Sequence, residues 1–376
     1  MTHSELAYWL ALRRAGLGST NFSLLLSRFG TIDVAWRASV DEVARAGLEA
    51  QFLRGFNKAR TTFDGDREIA LLTEAGATAL TWLDEAYPAA LREIPQSPPV
   101  IFVRGAAGPA FPRAVAVVGT RRVTPYGRQA TEAFCTVLAE AGVAIISGLA
   151  HGVDAIAHRV ALDHGTPTVA VLAGGIDKVF PRDNAGLAAR IVETGALVSE
   201  YPPGIPPRPD YFPRRNRILS GLAQATLVVE AGAGSGALHT ANWAFEQGRD
   251  VFAIPGSIFS KQSEGTNQLI REHTAKLVAT PEQLCEELNL LHAGQQLPMP
   301  RPALPAQTAS GTAASTAGLA PEEAQLFAAL GPGPQHLDEL ARETGLPVAL
   351  VSATLQILEL RGVVRQERPF IYARPS

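Results

Sequence analysis

The residues whose types and spacing bear on chemistry are concentrated in four short phrases of this chain. Gly119-Thr120-Arg121-Arg122 joins small residues and a hydroxyl to two guanidinium groups, and backbone N–H groups beside an arginine fork suit a phosphate. Gly174-Gly175 leads into Lys178, Phe180, Arg182 and Asn184: glycines for close backbone approach, two cations, and an aromatic face on which a base can stack. Tyr211-Phe212-Pro213 precedes Arg214, Arg215, Asn216 and Arg217, which read as a short loop before an apolar helix. Phosphate binding is the simplest use for that density of arginine, and pairing with carboxylates is the alternative. Gly232-Ala233-Gly234-Ser235-Gly236 opens a helix after a strand and makes an anion cradle, although tight packing of helix on sheet also favours glycine.

The chain lacks the marks of most catalytic classes. It has no Gly-x-Gly-x-x-Gly fingerprint after the first strand and no Gly-Lys-Ser/Thr, so neither a dinucleotide site nor a Walker-type loop is supported. The four phrases show no Ser–His–Asp order, no paired carboxylates and no cysteine in an electropositive turn. His151, Asp154 and His158 fall near one helical face and admit a metal reading. His151 precedes the regular helix and no fourth ligand follows, so capping by Asp154 and core packing of His158 are expected, with no metal and no cofactor. Binding is favoured over catalysis.

A scaffold must bring these phrases together. Ala114–Val118 is an apolar run of strand length. A helix over 127–141, a strand over 143–146, a helix over 154–163, a strand over 168–172 and a helix over 187–194 follow. Further strands read at 197–199, 226–230, 251–254 and 277–278. Apolar strands alternating with helices predict an α/β fold built on a doubly wound, mostly parallel, Rossmann-like sheet, with ligands beyond the carboxyl ends of the strands. Residues 1–75 read as a small helical domain. Its phrases Ala15-Gly16-Leu17-Gly18-Ser19-Thr20 and Ala46-Gly47-Leu48 resemble helix-hairpin-helix (SAM-like) turns, with a plain packing corner as the alternative. The sheet domain is expected over 76–292. A linker rich in proline, alanine and threonine follows over 293–318, and three helices with a strand pair over 319–376 make a winged helix.

Composition sets the outer limits. Thirty-three basic residues against 36 acidic give a net charge of −3, which rules out a globally basic nucleic-acid coat and leaves room for a local basic groove. With 46% hydrophobic and 18% charged residues, a sizeable core is expected and wholesale disorder is excluded. Cys135 and Cys285 sit among helix formers and read as buried bystanders. The first residues show no signal-peptide pattern and no apolar run reaches membrane length, so a cytoplasmic protein without membrane contact is expected.

With the loops in view, the chain resembles the DNA processing protein A family (DprA, also called Smf) over nearly its whole length. The motifs are Val117-Val118-Gly119-Thr120-Arg121, Ser147-Gly148-Leu149-Ala150 with Gly152-Val153-Asp154 and Ala157-His158, and Phe180-Pro181 with Asn184. Ser199-Glu200-Tyr201-Pro202, Phe212-Pro213-Arg214-Arg215-Asn216-Arg217, Ser235-Gly236-Ala237-Leu238 with Thr240-Ala241, and Ile254-Pro255-Gly256 continue it in family order. The resemblance implies an extended Rossmann-like domain that binds single-stranded DNA, forms homodimers and loads the RecA recombinase in natural transformation. It places DNA-phosphate contacts at Arg121, at Arg182 and Asn184, and over Arg214–Arg217. The alternative is an enzyme of the lysine-decarboxylase-like phosphoribohydrolase type, whose Pro-Gly-Gly-x-Gly-Thr-x-x-Glu is matched here without the proline and with no glutamate before Glu246.

Overall fold

The computed structural model describes residues 3–290, 321–331, 333, 335–360, 363–368 and 371–374. The chain divides into two compact units between residues 297 and 298. The expected linker over 293–318 lies outside the described residues.

Six helices open the first unit: α1 (His3–Arg14), α2 (Ser19–Phe29), α3 (Ile32–Arg37), α4 (Val40–Arg45), α5 (Ala50–Thr62) and α6 (Gly65–Glu74). Side-chain caps set three of their starts. Thr31 accepts from the N–H of Val34, Asp64 from that of Arg67, and Ser39 forms a capping box with Glu42. Their apolar faces carry Trp9, Leu12, Phe22, Leu25 and Phe56 into one buried cluster with Val100, Phe102 and Leu172 of the sheet region. The helical segment therefore shares a core with the sheet.

Nine strands follow: β1 (Thr78–Thr81), β2 (Val100–Arg104), β3 (Ala114–Val118), β4 (Ala144–Ser147), β5 (Thr168–Val171), β6 (Ala196–Ser199), β7 (Ala225–Val228), β8 (Asp250–Ala253) and β9 (Lys276–Leu277). They lie in the order β1-β2-β6-β5-β4-β3-β7-β8-β9, parallel from β6 to β9, with β2 antiparallel to β6 and β1 antiparallel to β2. Helices α7 (Ala89–Arg92), α8 (Pro125–Glu140), α9 (Val153–Asp163), α10 (Ala185–Thr194), α11 (Tyr211–Gly221), α12 (Gly236–Glu246), α13 (Glu264–Arg271) and α14 (Pro281–Glu287) connect and cover them. Every residue of β3 to β7 is buried, as a sheet covered on both faces requires. Val115 and Val117 pack with Phe134 and Leu138, while Ala114, Ala116 and Val118 share a cluster with Ile218, Leu222 and Ala241.

The expected parallel strands are all present, displaced by a residue or so. The structure adds β1 and β2 and makes one correction that matters for function: residues 211–217 are not a loop but the first turns of α11. Pro213 marks no break, because a proline in a first turn interrupts no intrahelical hydrogen bond. Cys135 and Cys285 are free and buried, and burial raises both thiols above their ordinary range.

The second unit carries α15 (Pro321–Ala329), β10 (Gln335–His336), α16 (Leu337–Thr344), α17 (Val348–Leu360), β11 (Arg365–Arg368) and β12 (Ile371–Ala373), with the strands ordered β10-β12-β11. Leu326, Leu340, Val351, Leu355 and Leu358 form a core of its own. This is a winged helix, with the three expected helices, the expected strand pair as β11 and β12, and β10 added.

Candidate nucleic-acid interface

From β3 the chain winds outward through β4, β5 and β6, then returns to the other side of β3 for β7. The carboxyl ends of β3 and β7 thus flank the point where strand order reverses, and a crevice opens there. It is a cleft of about 820 Å³. Of the sequence-expected site residues, it brings together Gly119, Thr120, Arg121, Phe180, Arg215, Asn216, Ser235 and Gly236.

Its first wall is the loop after β3. A Cβ on Gly119 would collide with Val153, and one on Gly152, held at φ +77°, would collide with the carbonyl of Thr120. The two glycines let this loop lie directly on the start of α9. Thr120 N–H donates to the carbonyl of Glu230 at 2.7 Å, and Thr120 Oγ1 donates to Gln262 Oε1 at 3.3 Å. Buried Glu230 also accepts from Thr124 N–H and Oγ1 at 3.0 and 2.7 Å, while Thr124 caps α8. The loops after β3 and β7 are therefore one hydrogen-bonded assembly. Arg121 is exposed, and its guanidinium lies 5.5 Å from the centre of the Phe212 ring. Phe212 meets the half-exposed Phe180 edge-on at 5.8 Å. Arg121 and Arg122 make no ion pair among the described residues.

The opposite wall is the glycine phrase. Ser235 caps α12 by accepting from Ala237 N–H at 3.3 Å, and Gly234 and Gly236 have open space where side chains would sit. Asn216 donates to the carbonyl of Gly236 at 3.2 Å and fixes α11 to that helix start.

Beneath lies Arg215, buried, donating to the carbonyls of Gly148 (3.0 Å) and Val171. Burial and the neighbouring charge of Arg121 push its pKa down to about 10, against the pull of Asp154. Two guanidinium groups therefore crowd one side of the cleft. Asp154, the one carboxylate in the lining, accepts from the N–H groups of Gly148 and Ala150 at 3.1 and 3.3 Å.

Five expected residues lie outside the cleft. Lys178 pairs with Asp177 at 2.8 Å, and Arg182 and Arg214 are exposed nearby in sequence to cleft residues. Asn184 and Arg217 need correction as phosphate contacts, because both are buried and held by the protein. Asn184 donates to the carbonyls of Leu149 and Ala150. Arg217 makes two 2.9 Å bonds to the Glu200 carboxylate, which Arg13 also reaches at 3.1 Å. Arg215 and Asn216, with less than a tenth of their surface exposed, support the cleft more than they present to it. Arg122, the second guanidinium of the first phrase, also lines the cleft, and sequence reasoning missed His239, Lys261 and Gln262 there. Lys261 lies in the loop after β8, and the rule that ligands sit beyond strand ends pointed there as well.

His151, Asp154 and His158 diverge. His151 faces Asp183 at 3.7 Å, and the buried His158 ring bonds Thr168 Oγ1 at 2.7 Å through Nδ1. That hydroxyl gives its proton to the carbonyl of Ile145, so Nδ1 carries the imidazole proton. Burial, aided by the charge of Arg215, pushes His158 down to about 3. The folded protein holds it neutral while the unfolded chain protonates below about 6.5, so stability is complete above that pH and falls as pH drops toward 3. Urea unfolding is expected to show a loss of roughly 2 kcal/mol between pH 6.5 and 5, absent in His158→Asn. Equal slopes in the two proteins would refute this.

Residues 78–289 match the family described as DNA recombination-mediator protein A, and residues 310–368 match the DprA winged helix domain. The chain belongs to the DNA recombination-mediator protein A family. Within it, the putative DNA processing protein DprA of Mycobacterium tuberculosis is 39% identical over 311 residues, covering 79% of this chain and 77% of that protein. The X-ray structure of DNA processing protein A from Streptococcus pneumoniae superposes with a TM-score of 0.66 at 33% identity, over 76% of this chain and 98% of that one. DNA processing protein A from Helicobacter pylori, solved for its single-stranded DNA binding mode, gives 0.52 at 28% identity, over 57% and 95%. The family's sheet region thus contains the whole cleft. Among the described residues, no helix is long and apolar enough to cross a membrane.

Proposed function

We propose that the cleft binds single-stranded DNA and that the protein acts as a recombination mediator, delivering the strand to RecA during natural transformation. The observation that carries the binding step is electrostatic. The lining holds four cationic side chains, Arg121, Arg122, Arg215 and Lys261, against the single carboxylate of Asp154, in a chain whose net charge is −3. Cations, open glycine backbone and an exposed aromatic rim suit a strand whose phosphates and bases are both accessible. The Helicobacter relative's binding of single-stranded DNA supports the same reading. Loading of RecA, a cytoplasmic setting and a homodimer that joins two clefts rest on the family resemblance.

The phosphoribohydrolase alternative requires a carboxylate free to act in the cleft. Asp154 is engaged by two backbone N–H groups, and Glu246 closes the far end of α12. No turnover is expected. The decisive experiment measures oligonucleotide binding by the purified protein, its acceleration of RecA filament formation on single strands, and its mass by light scattering. Absence of single-strand binding would sink the proposal, and a monomer at micromolar concentration would remove the dimer from it.

The winged helix is expected to be dispensable for this binding. Its third helix, α17, contains no lysine or arginine, whereas helices that dock on nucleic acid draw their phosphate contacts and their guanine contacts largely from those two residues. Because each unit has its own core, truncation after residue 290 should leave affinity within tenfold of the full chain. A larger loss would assign the module a direct contact.

A further inference from the structure

The structure assigns a second binding element next to the cleft: the turn Ser257–Ser260, on which Phe259 is a stacking platform for a base of the strand leaving the cleft past Lys261. Phe259 is 93% exposed and Ile258 83%, the two most exposed large apolar side chains among the described residues. Neither stabilises the fold from such a position. Yet the turn beneath them is rigidly built. Ser260 N–H donates to the carbonyl of Ser257 at 3.0 Å, and Phe259 N–H to Ser257 Oγ at 3.2 Å. At its base, the Asn267 side-chain amide grips Gly256 from both sides, accepting from its N–H at 3.1 Å and donating to its carbonyl at 3.0 Å. A firmly held turn that presents an aromatic ring to water is preorganised for a partner rather than for packing.

Position selects the partner. Lys261, which follows the turn directly, lines the cleft and makes no ion pair among the described residues. Ser257 and Ser260 border a separate hollow of about 600 Å³, where Tyr126 is half-exposed and its hydroxyl donates to the carbonyl of Pro255 at 2.6 Å. The turn thus stands between a cationic cleft and a hydroxyl-lined hollow with a second aromatic face, whose one carboxylate, Glu230, is buried and held by Thr124. A strand whose phosphates follow Lys261 passes the Phe259 ring within two residues, and an aromatic face takes any base. Phe180 at one rim and Phe259 beyond the other then bracket the phosphate-binding floor.

The inference rests on the proposed single-strand reading, and the test separates the two. Fluorescence anisotropy with oligo(dT) of increasing length is measured for the full chain, Phe259→Ala, Phe259→Trp and Arg121→Ala. With Phe259 so exposed, its variants fold as the parent does. Phe259→Ala is expected to lose about tenfold in affinity for long oligonucleotides, within the alanine cost of base–aromatic stacking, and little for those short enough to fill only the cleft. Phe259→Trp should keep affinity, and its emission, taken as a difference from the parent's four tryptophans, should be quenched by the long oligonucleotide. Weakened binding in Arg121→Ala with none in Phe259→Ala would overturn the inference and leave the cleft reading intact. A parent that holds no oligonucleotide would overturn both. Unchanged oligonucleotide binding with lost self-association in Phe259→Asp would give the turn to a second copy of the chain and overturn the inference as well.

Discussion

Arg217→Ala is expected to lower the unfolding free energy by about 3–5 kcal/mol, the range for removing one partner of a buried ion pair. Both oxygens of Glu200 accept from Arg217 at 2.9 Å, and the two side chains are 7–9% exposed. Without Arg217, the Glu200 carboxylate keeps only Arg13, and the carbonyls of Gln96 and Arg214 lose a donor. Arg217→Met/Glu200→Leu should recover much of the loss, because a well-packed apolar pair can replace a buried ionic one at little cost. Burial alone would raise the Glu200 carboxyl, but Arg217 and Arg13 hold it below its ordinary value of 4.5. The pair's contribution is therefore complete above about pH 4.5 and disappears as pH falls through the lower folded value. Urea unfolding from pH 7 downward should show the parent and Arg217→Ala furthest apart at neutral pH and converging in acid. Equal midpoints at pH 7 would show that the pair contributes nothing net.

Arg121→Ala/Arg182→Ala should have the largest effect on binding. A hydrogen bond to a charged group contributes about 1.5–3 kcal/mol, so each arginine at a phosphate corresponds to roughly ten- to a hundredfold in affinity. Arg121→Ala should weaken binding more than Arg182→Ala, because Arg121 lines the cleft whereas Arg182 stands outside it. Each lost phosphate contact should also flatten the dependence of log affinity on log salt by about 0.7. Lysine at 121 should recover the slope better than the affinity, because it restores the charge without the planar fork. Both residues are exposed, so the folded state should be unaffected. Unchanged affinity and slope in the double variant would place the binding surface elsewhere.

The sheet was legible because its parallel strands are buried on both faces and read as apolar runs, as in Ala114–Val118. β1 was not, since Thr78–Thr81 is short, only partly buried and threonine-flanked. The cleft's glycines and Arg121 were legible from position, after a strand and before a helix. The division of labour within Arg214–Arg217 was not. A helix places neighbouring arginines about 100° apart, so Arg214 reaches water while Arg215 and Arg217 turn inward. The partner that settles Arg217 is Glu200, 17 residues earlier in another loop, which no local pattern could have selected. Lys261 stands in the sequence as a lone cation among serines and glutamine, and only folding brings it into the cleft with the arginines.

The tie between Thr124 and Glu230 joins residues 106 positions apart, and the three intervening strands belong to the far half of the sheet. In the order of synthesis, the strand that founds one wall of the cleft emerges long before the strand that founds the other. At about 5–20 residues per second, several seconds separate Gly119 from Gly236 at the ribosome. During that interval the nascent chain carries Arg121 and Arg122 without the opposing wall. The mature cleft arises only with the most non-local strand pairing of the sheet, that of β3 with β7, and such pairings are the slow ones. The cleft is therefore completed late in the making of each molecule, and until β7 has emerged only one of its walls exists.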